Sequence, residues 1–235
     1  MSLFNQDFLS RSFPSQNRST TPYTAWTYVD QFDTDLWTHS GGDNTVSGGE
    51  LNSVLQRAQH YSYYDIKGSA FSDTSWVMRV TARLSSVSIT ANPNITCPMG
   101  LRDVTTGTGS AADYIGIGPF QVAAGTWDGA EGDGVSMQSA QGAAVTGAVY
   151  TGAETRYLQI IRQSATLTDF QVYEDSDFST LDNEALSHTT PSTNDGLRYA
   201  FIGGRNDAAS ETNTCTVHYD DLRFEDATTT PPSDA

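Results

Sequence analysis

Apolar and polar residues alternate along much of this chain with a period of two, the spacing of a half-buried strand. Trp76, Met78, Val80, Ala82 and Leu84 share one face of a predicted strand, with Val77, Arg79, Thr81 and Arg83 on the other. Leu158 and Ile160 alternate with Tyr157, Gln159 and Ile161 in a second. Further strands are expected within 45–55, 59–64, 96–104, 113–117, 168–173 and 197–202. Turn sequences separate them, among them Ser47-Gly48-Gly49, Lys67-Gly68, Asn92-Pro93-Asn94, Asn194-Asp195-Gly196 and Gly203-Gly204-Arg205-Asn206. No helical period appears. Short strands at this spacing predict an all-β, antiparallel β-sandwich of the jelly-roll type. The Gly/Ala-rich stretch 123–147 breaks the pattern and reads as a long loop or poorly patterned strands.

The last strand is the most specific. Cys215, Val217 and Tyr219 alternate with Thr214, Thr216 and His218, but beyond Asp220-Asp221 the apolar positions become Leu222 and Phe224. The phase slips by one residue. A β-bulge does this, and here it would sit on two adjacent carboxylates.

The ends are patterned differently. Residues 1–25 carry four spaced apolar residues, Phe4, Phe8, Leu9 and Phe13, then a polar and proline-containing run, and read as an extended arm that packs on a neighbouring subunit. Residues 226–235 are rich in Thr and Pro and read as a tail. The domain proper is expected at 26–225. The first residues lack a basic n-region and an apolar h-region, so no signal peptide is expected. No run approaches the ~18 apolar residues of a membrane helix, so no membrane insertion is expected.

Charge narrows the partners. The chain of 235 residues has 12 Lys and Arg against 28 Asp and Glu, a net charge of −16, so a nucleic acid would be repelled. Calcium, polar sugars or a basic partner are compatible with it. Two cysteines, Cys97 and Cys215, give no disulfide framework; both lie in expected strands, and free buried thiols are favoured over a bridge.

The order of motifs is informative. Tyr28-Val-Asp-Gln-Phe-Asp33, Trp37 and Val46-Ser-Gly-Gly-Glu-Leu51 open the pattern; Ser75-Trp-Val-Met-Arg-Val80 and Met99-Gly-Leu-Arg-Asp103 continue it; Asp169-Phe-Gln-Val-Tyr173 and Tyr219-Asp-Asp-Leu-Arg-Phe224 close it. Over about residues 26–225 this resembles the concanavalin A-like lectin/glucanase superfamily, including laminin-G-like jelly rolls. The resemblance implies two curved antiparallel sheets. It leaves lectins, glycosidases and non-enzymatic modules of virus and phage particles open, because fold does not choose among them.

Retaining glycosidases of this fold carry a Glu-x-Asp-x-x-Glu run that holds two carboxylates about 5 Å apart on one face. No such run occurs here: Glu131-Gly-Asp133 lacks the second Glu and Glu174-Asp-Ser-Asp177 has the wrong spacing. The four histidines form no zinc spacing, and no Gly-x-Ser-x-Gly elbow exists. An enzyme is therefore not expected. What remains is a non-catalytic surface or adhesion module, such as a decoration or fibre protein on a virion or extracellular surface. The alternatives are a free carbohydrate-binding lectin and, behind it, a glycan-cleaving enzyme of the same fold.

Two binding sites have candidate residues. Related carbohydrate-binding jelly rolls share a structural calcium between the closing strand and the first strand, which implies Asp220 or Asp221 with Asp30 or Asp33, completed by backbone carbonyls. Hydrogen bonds from these aspartates to backbone donors are the simpler reading. For glycans, the candidates are Trp127, expected to stand exposed in the glycine-rich stretch, and Arg205, Asn206 and Asp207. Tyr61 and Tyr63 share one strand face, as core or as platform.

Overall fold

The structure, a computed structural model, describes residues 26–41, 44–55, 60–88, 95–96, 99–105, 113–121, 125–132, 152–182, 186–189, 195–206 and 214–231. Fifteen strands form among them: β1 (Tyr28–Asp30), β2 (Thr38–Ser40), β3 (Asn44–Ser47), β4 (Glu50–Leu55), β5 (His60–Tyr64), β6 (Trp76–Ser88), β7 (Ile95–Thr96), β8 (Met99–Arg102), β9 (Tyr114–Gln121), β10 (Gly125–Gly132), β11 (Glu154–Ser164), β12 (Leu167–Tyr173), β13 (Leu186–Thr189), β14 (Tyr199–Asn206) and β15 (Thr214–Asp226). None of the described residues is helical, and no helix there is long and apolar enough to cross a membrane.

The strands make two antiparallel sheets. The eight-stranded sheet runs β13-β12-β11-β6-β15-β4-β3, with β1 also on β15. The seven-stranded sheet runs β10-β9-β7-β14-β5-β2, with β8 between β14 and β9. The alternation read from the sequence explains how they face. Trp76, Met78, Val80, Ala82 and Leu84 of β6 join Leu158, Ile160, Phe170, Val217 and Tyr219 on one wall of the core. Met99, Leu101, Ile115, Ile117, Trp127, Ala200 and Ile202 form the other. The all-β sandwich expected from periodicity is the fold observed.

The phase slip in β15 is a bulge. Its register on β6 shifts between Asp220 and Arg223, and Asp221 takes φ 53°. A short polar side chain tolerates this left-handed conformation better than most residues. The slip has a purpose in the sheet: β4 pairs with 215–219 and β1 with 222–224, so the bulge marks where β15 exchanges one neighbour for another. Between β3 and β4, Gly48 and Gly49 both adopt positive φ, 65° and 77°, as a two-residue hairpin turn of this kind requires.

The arm at 1–25 lies outside the described residues, as do Cys97, Asp207 and 232–235. Asp226 closes β15: its carboxylate accepts from the Ser72 N–H at 2.7 Å and pairs with Lys67. The exposed tail residues begin just after it.

Candidate functional site

The outer face of the seven-stranded sheet gathers aromatic side chains. On β5, Ser62 is buried and Tyr64 packs on the main core, so Tyr61 and Tyr63 point outward. On β14, Ala200 and Ile202 enter the core, so Tyr199 and Phe201 point outward. On β8 and β9 the same alternation turns Arg102 and Tyr114 outward. Pairing sets these side chains in rows. Tyr63 faces Phe201, which faces Gly100, which faces Gly116; beside that row run Tyr199, Arg102 and Tyr114.

Tyr61 and Phe201 stack at 6.0 Å and 17°, and Tyr63 meets Tyr199 edge-on at 5.9 Å. The Arg102 guanidinium lies 4.7 Å from the Phe201 ring centre and that of Arg198 5.2 Å from Tyr199. Such contacts hold a cation where water is scarce. Burial pulls the Arg102 pKa down, opposed by Asp103, Tyr114 and Tyr61, and burial pushes Asp103 up. Phe201 and Tyr114 are buried, whereas Tyr61, Tyr63 and Tyr199 are half-buried and keep part of each ring at the surface. Gly100 is obligatory: a Cβ there would stand 1.9 Å from the Ile115 carbonyl oxygen. The result is a row of half-buried tyrosine rings, Tyr61, Tyr63 and Tyr199, beside the buried Arg102, Tyr114, Phe201, Gly100 and Gly116. Rings with an apolar face and a hydroxyl tip suit a ligand that is apolar on one side and rimmed with hydroxyls.

The outer face of the eight-stranded sheet is built otherwise. Arg79 lies between two rings, 4.1 Å from the centre of Phe178 and 5.5 Å from that of Trp26. Its Nε donates to Gln159 Oε1 at 2.6 Å; Gln159 in turn bonds Gln171, and Tyr173 donates to Gln171 Oε1 at 2.8 Å. Phe178 reaches this face from the segment after β12. There Asp175 accepts from the Ser179 N–H at 2.9 Å and its hydroxyl at 3.0 Å, and Phe178 takes φ 54°. These hydrogen bonds hold the Asp175 carboxyl at about 2, well below its ordinary value. The ring then packs on Tyr157 and Tyr173.

The residues expected from sequence fall in several places. Trp127 is not exposed: it lies on β10 opposite Pro119 with a fully buried ring, its indole N–H on Glu154. Its glycine neighbours suggested a loop, but Gly125 and Gly129 are strand residues paired with β9. As a ligand platform Trp127 is therefore corrected to a core residue. Arg205 and Asn206 end β14, paired with Thr96 and Ile95 of β7. Asp30 points inward, where its two carboxylate oxygens accept from the Phe32 N–H and the Trp37 indole, each at 2.8 Å. Asp33 is exposed. Asp221 pairs with Arg223, with Nε at 3.0 Å. Asp30 does lie beside the bulge, opposite Leu222. Among the described residues no three His, Cys, Asp or Glu side chains converge as a metal site.

Sequence reasoning missed Arg102, Tyr114, Tyr199 and Phe201. Ile115 and Ile117 signalled that Tyr114 faces outward. In 199–202 every position is apolar or aromatic, so alternation there could not tell the faces apart.

No family model and no curated protein matches the chain. Solved structures do. The Lotus tetragonolobus seed lectin is similar with a TM-score of 0.57 at 10% identity, over 85% of this chain and 96% of that one. The Emp47p carbohydrate recognition domain is similar at 0.55 and 14%, over 85% and 95%. The CBM2 module of the evolved Dit of Lactobacillus casei BL23 phage J-1 is similar at 0.50 and 12%, over 85% and 94%.

Proposed function

We propose, from the premise that this chain has the fold of the concanavalin A-like lectins, that it is a module that binds glycans without cleaving them. Its ligand lies on the outer face of the seven-stranded sheet. The observation that carries this is the half-buried row Tyr61, Tyr63 and Tyr199, which turns away from the core on two paired strands. Neutral glycans suit it better than acidic ones. The chain carries a net charge of −16, and Arg198, beside Tyr199, is neutralised by Asp65. The sequence lacks the paired-carboxylate strand of retaining glycosidases, which supports binding without cleavage.

A place on a virion or phage particle, as a decoration or fibre component, is supported by the likeness to a module of a phage protein. The arm at 1–25 would then contact neighbouring subunits. A free lectin is the second reading, favoured by the likeness to a seed lectin; native mass measurement of the full chain and of a chain lacking 1–25 separates the two. A structural calcium at the β1–β15 end would have to displace the Trp37 indole from Asp30 or the Arg223 guanidinium from Asp221. Thermal melts with calcium and with chelator check it, because an ion bound only to the folded state raises the melting point.

A glycan array followed by calorimetry tests the binding site. The double variant Tyr61→Ala, Tyr63→Ala should lose about tenfold or more in affinity, the effect of roughly 1.4 kcal/mol. Retained affinity for every glycan bound by the native chain moves the site elsewhere. Release of reducing sugar would overturn the non-catalytic reading.

A further inference from the structure

The outer face of the eight-stranded sheet carries a second constellation, independent of the glycan reading. The registers set Asn52 of β4, His218 of β15 and Arg83 of β6 side by side. In an unbroken ladder Ser85 would face Thr216. Instead Thr216 pairs with Ser86 and Val217 with Leu84, so Ser85 is the extra residue of a bulge. β11 ends its pairing with β6 at Leu84, so neither neighbouring register includes Ser85. Bulges re-aim side chains. Here the exposed Ser85 hydroxyl lies 2.6 Å from His218 Nε2.

The other ring nitrogen fixes the tautomer. His218 Nδ1 bonds Asn52 Oδ1 and lies 3.3 Å from Glu50 Oε2. Both are acceptors, so Nδ1 carries the proton and the Nε2 lone pair is directed at the Ser85 O–H. Arg83 holds Glu50 by both oxygens, at 2.9 and 2.6 Å. Burial, and then the Arg83 charge, lowers the His218 pKa against the pull of Glu50, so the ring is neutral at pH 7. A second serine–histidine pair shows what this arrangement is not. Ser62 lies 2.6 Å from His39 Nδ1. But it is fully buried and its oxygen accepts from Asn44 Nδ2 at 2.8 Å, which closes it to an electrophile.

We propose that Ser85 is an activated nucleophile, with His218 as its general base and Asn52 and Glu50 as positioning residues, and that it takes unhindered acyl esters. Ser85 Oγ bonds to the acyl carbon while its proton passes to His218 Nε2. That proton leaves with the departing alkoxide as the ester C–O bond breaks, and water then releases the acid by the same route.

A fluorophosphonate probe tests this on the full chain. Ser85 Oγ–P forms, P–F breaks, fluoride leaves and His218 takes the proton; peptide mapping locates the label. Ser85 should be labelled ahead of every other exposed serine and Ser62 not at all. His218→Gln should slow labelling about a hundredfold, in the range expected for loss of a general base. The charged and polar groups facing His218 are Glu50, Asn52, Arg83 and Ser85 from the flanking strands, with Thr216 and Asp220 along its own. The labelling rate should therefore rise with pH through one titration below 6.5 and then level, and Glu50→Gln should shift that titration. Labelling of Ser85 no faster than of other exposed serines, or unchanged in His218→Gln, overturns the proposal. Should His218→Gln fail to fold, a labelling rate with no titration below pH 7 in the native chain rejects it.

Discussion

The two outer faces of the sandwich use aromatic side chains in opposite ways. On the eight-stranded sheet, rings arrive from outside the sheet: Trp26 from before β1 and Phe178 from the segment after β12 close over Arg79. That face is tied to itself by the Gln159, Gln171 and Tyr173 hydrogen bonds. On the seven-stranded sheet the rings stand on the strands, and their ring contacts run along the face. Where the eight-stranded sheet recruits its own cover, over Arg79, folding finishes that face. On the seven-stranded sheet Tyr61, Tyr63 and Tyr199 keep part of each ring at the surface, while their neighbours Arg102, Tyr114 and Phe201 are buried. The same residue types are thus covered on one side and left partly at the surface on the other, and register decides which.

Four substitutions sharpen or break this contrast. Gly100→Ala should be the most damaging, at about 3 kcal/mol, because its Cβ would collide with backbone at 1.9 Å and overpacking cannot relax there. Chemical denaturation measures it; a neutral result would mean that β8 and β9 sit farther apart than described. Phe178→Ala should cost about 2 kcal/mol, less than a full core truncation because the ring is only half-buried, and should leave glycan affinity unchanged. A loss of binding without a loss of stability would reverse the roles of the two faces. Tyr61→Ala should weaken any glycan complex while costing about 1 kcal/mol, the centre of the range for single substitutions, because its half-buried ring stacks on Phe201.

The smallest effect concerns acid. Asp175 has a folded pKa of about 2, lowered by its hydrogen bonds to the Ser179 and Thr180 segment. A depressed carboxylate contributes stability that is present above its unfolded value and lost as pH falls through its folded one. Hydrogen-exchange protection factors in 174–181, corrected for the intrinsic rate, should therefore fall from about pH 4 down to pH 2, and Asp175→Asn should abolish that dependence. An acid response unchanged in the variant would assign it to another carboxylate.

Much of this architecture was legible in the sequence. The odd-to-even slip at Asp220-Asp221 located a real bulge, because a strand buried on one face cannot change phase without one. The alternation in β6 named the inner wall of one sheet. Trp127 was misplaced because glycines read as loop, whereas in β10 and β9 they are paired strand positions. Phe178 and Arg79 meet only because a turn takes positive φ, which Asp175-Ser-Asp177 does not announce. The Ser85–His218 pair depends on registers across three strands and on a bulge at a position with no composition signal. Local pattern reports which way a residue points; it does not report who stands beside it.

The position of β15 bears on how the molecule is made. This strand lies in the interior of its sheet, between β6 on one side and β4 and β1 on the other, yet it is the last of the fifteen to leave the ribosome. Until it emerges, β6, β4 and β1 each present an open hydrogen-bonding edge. Sheet closure therefore waits for the last strand and is non-local, the regime of slow folding. During synthesis the apolar inner face of β6 waits beside an empty slot until β15 fills it.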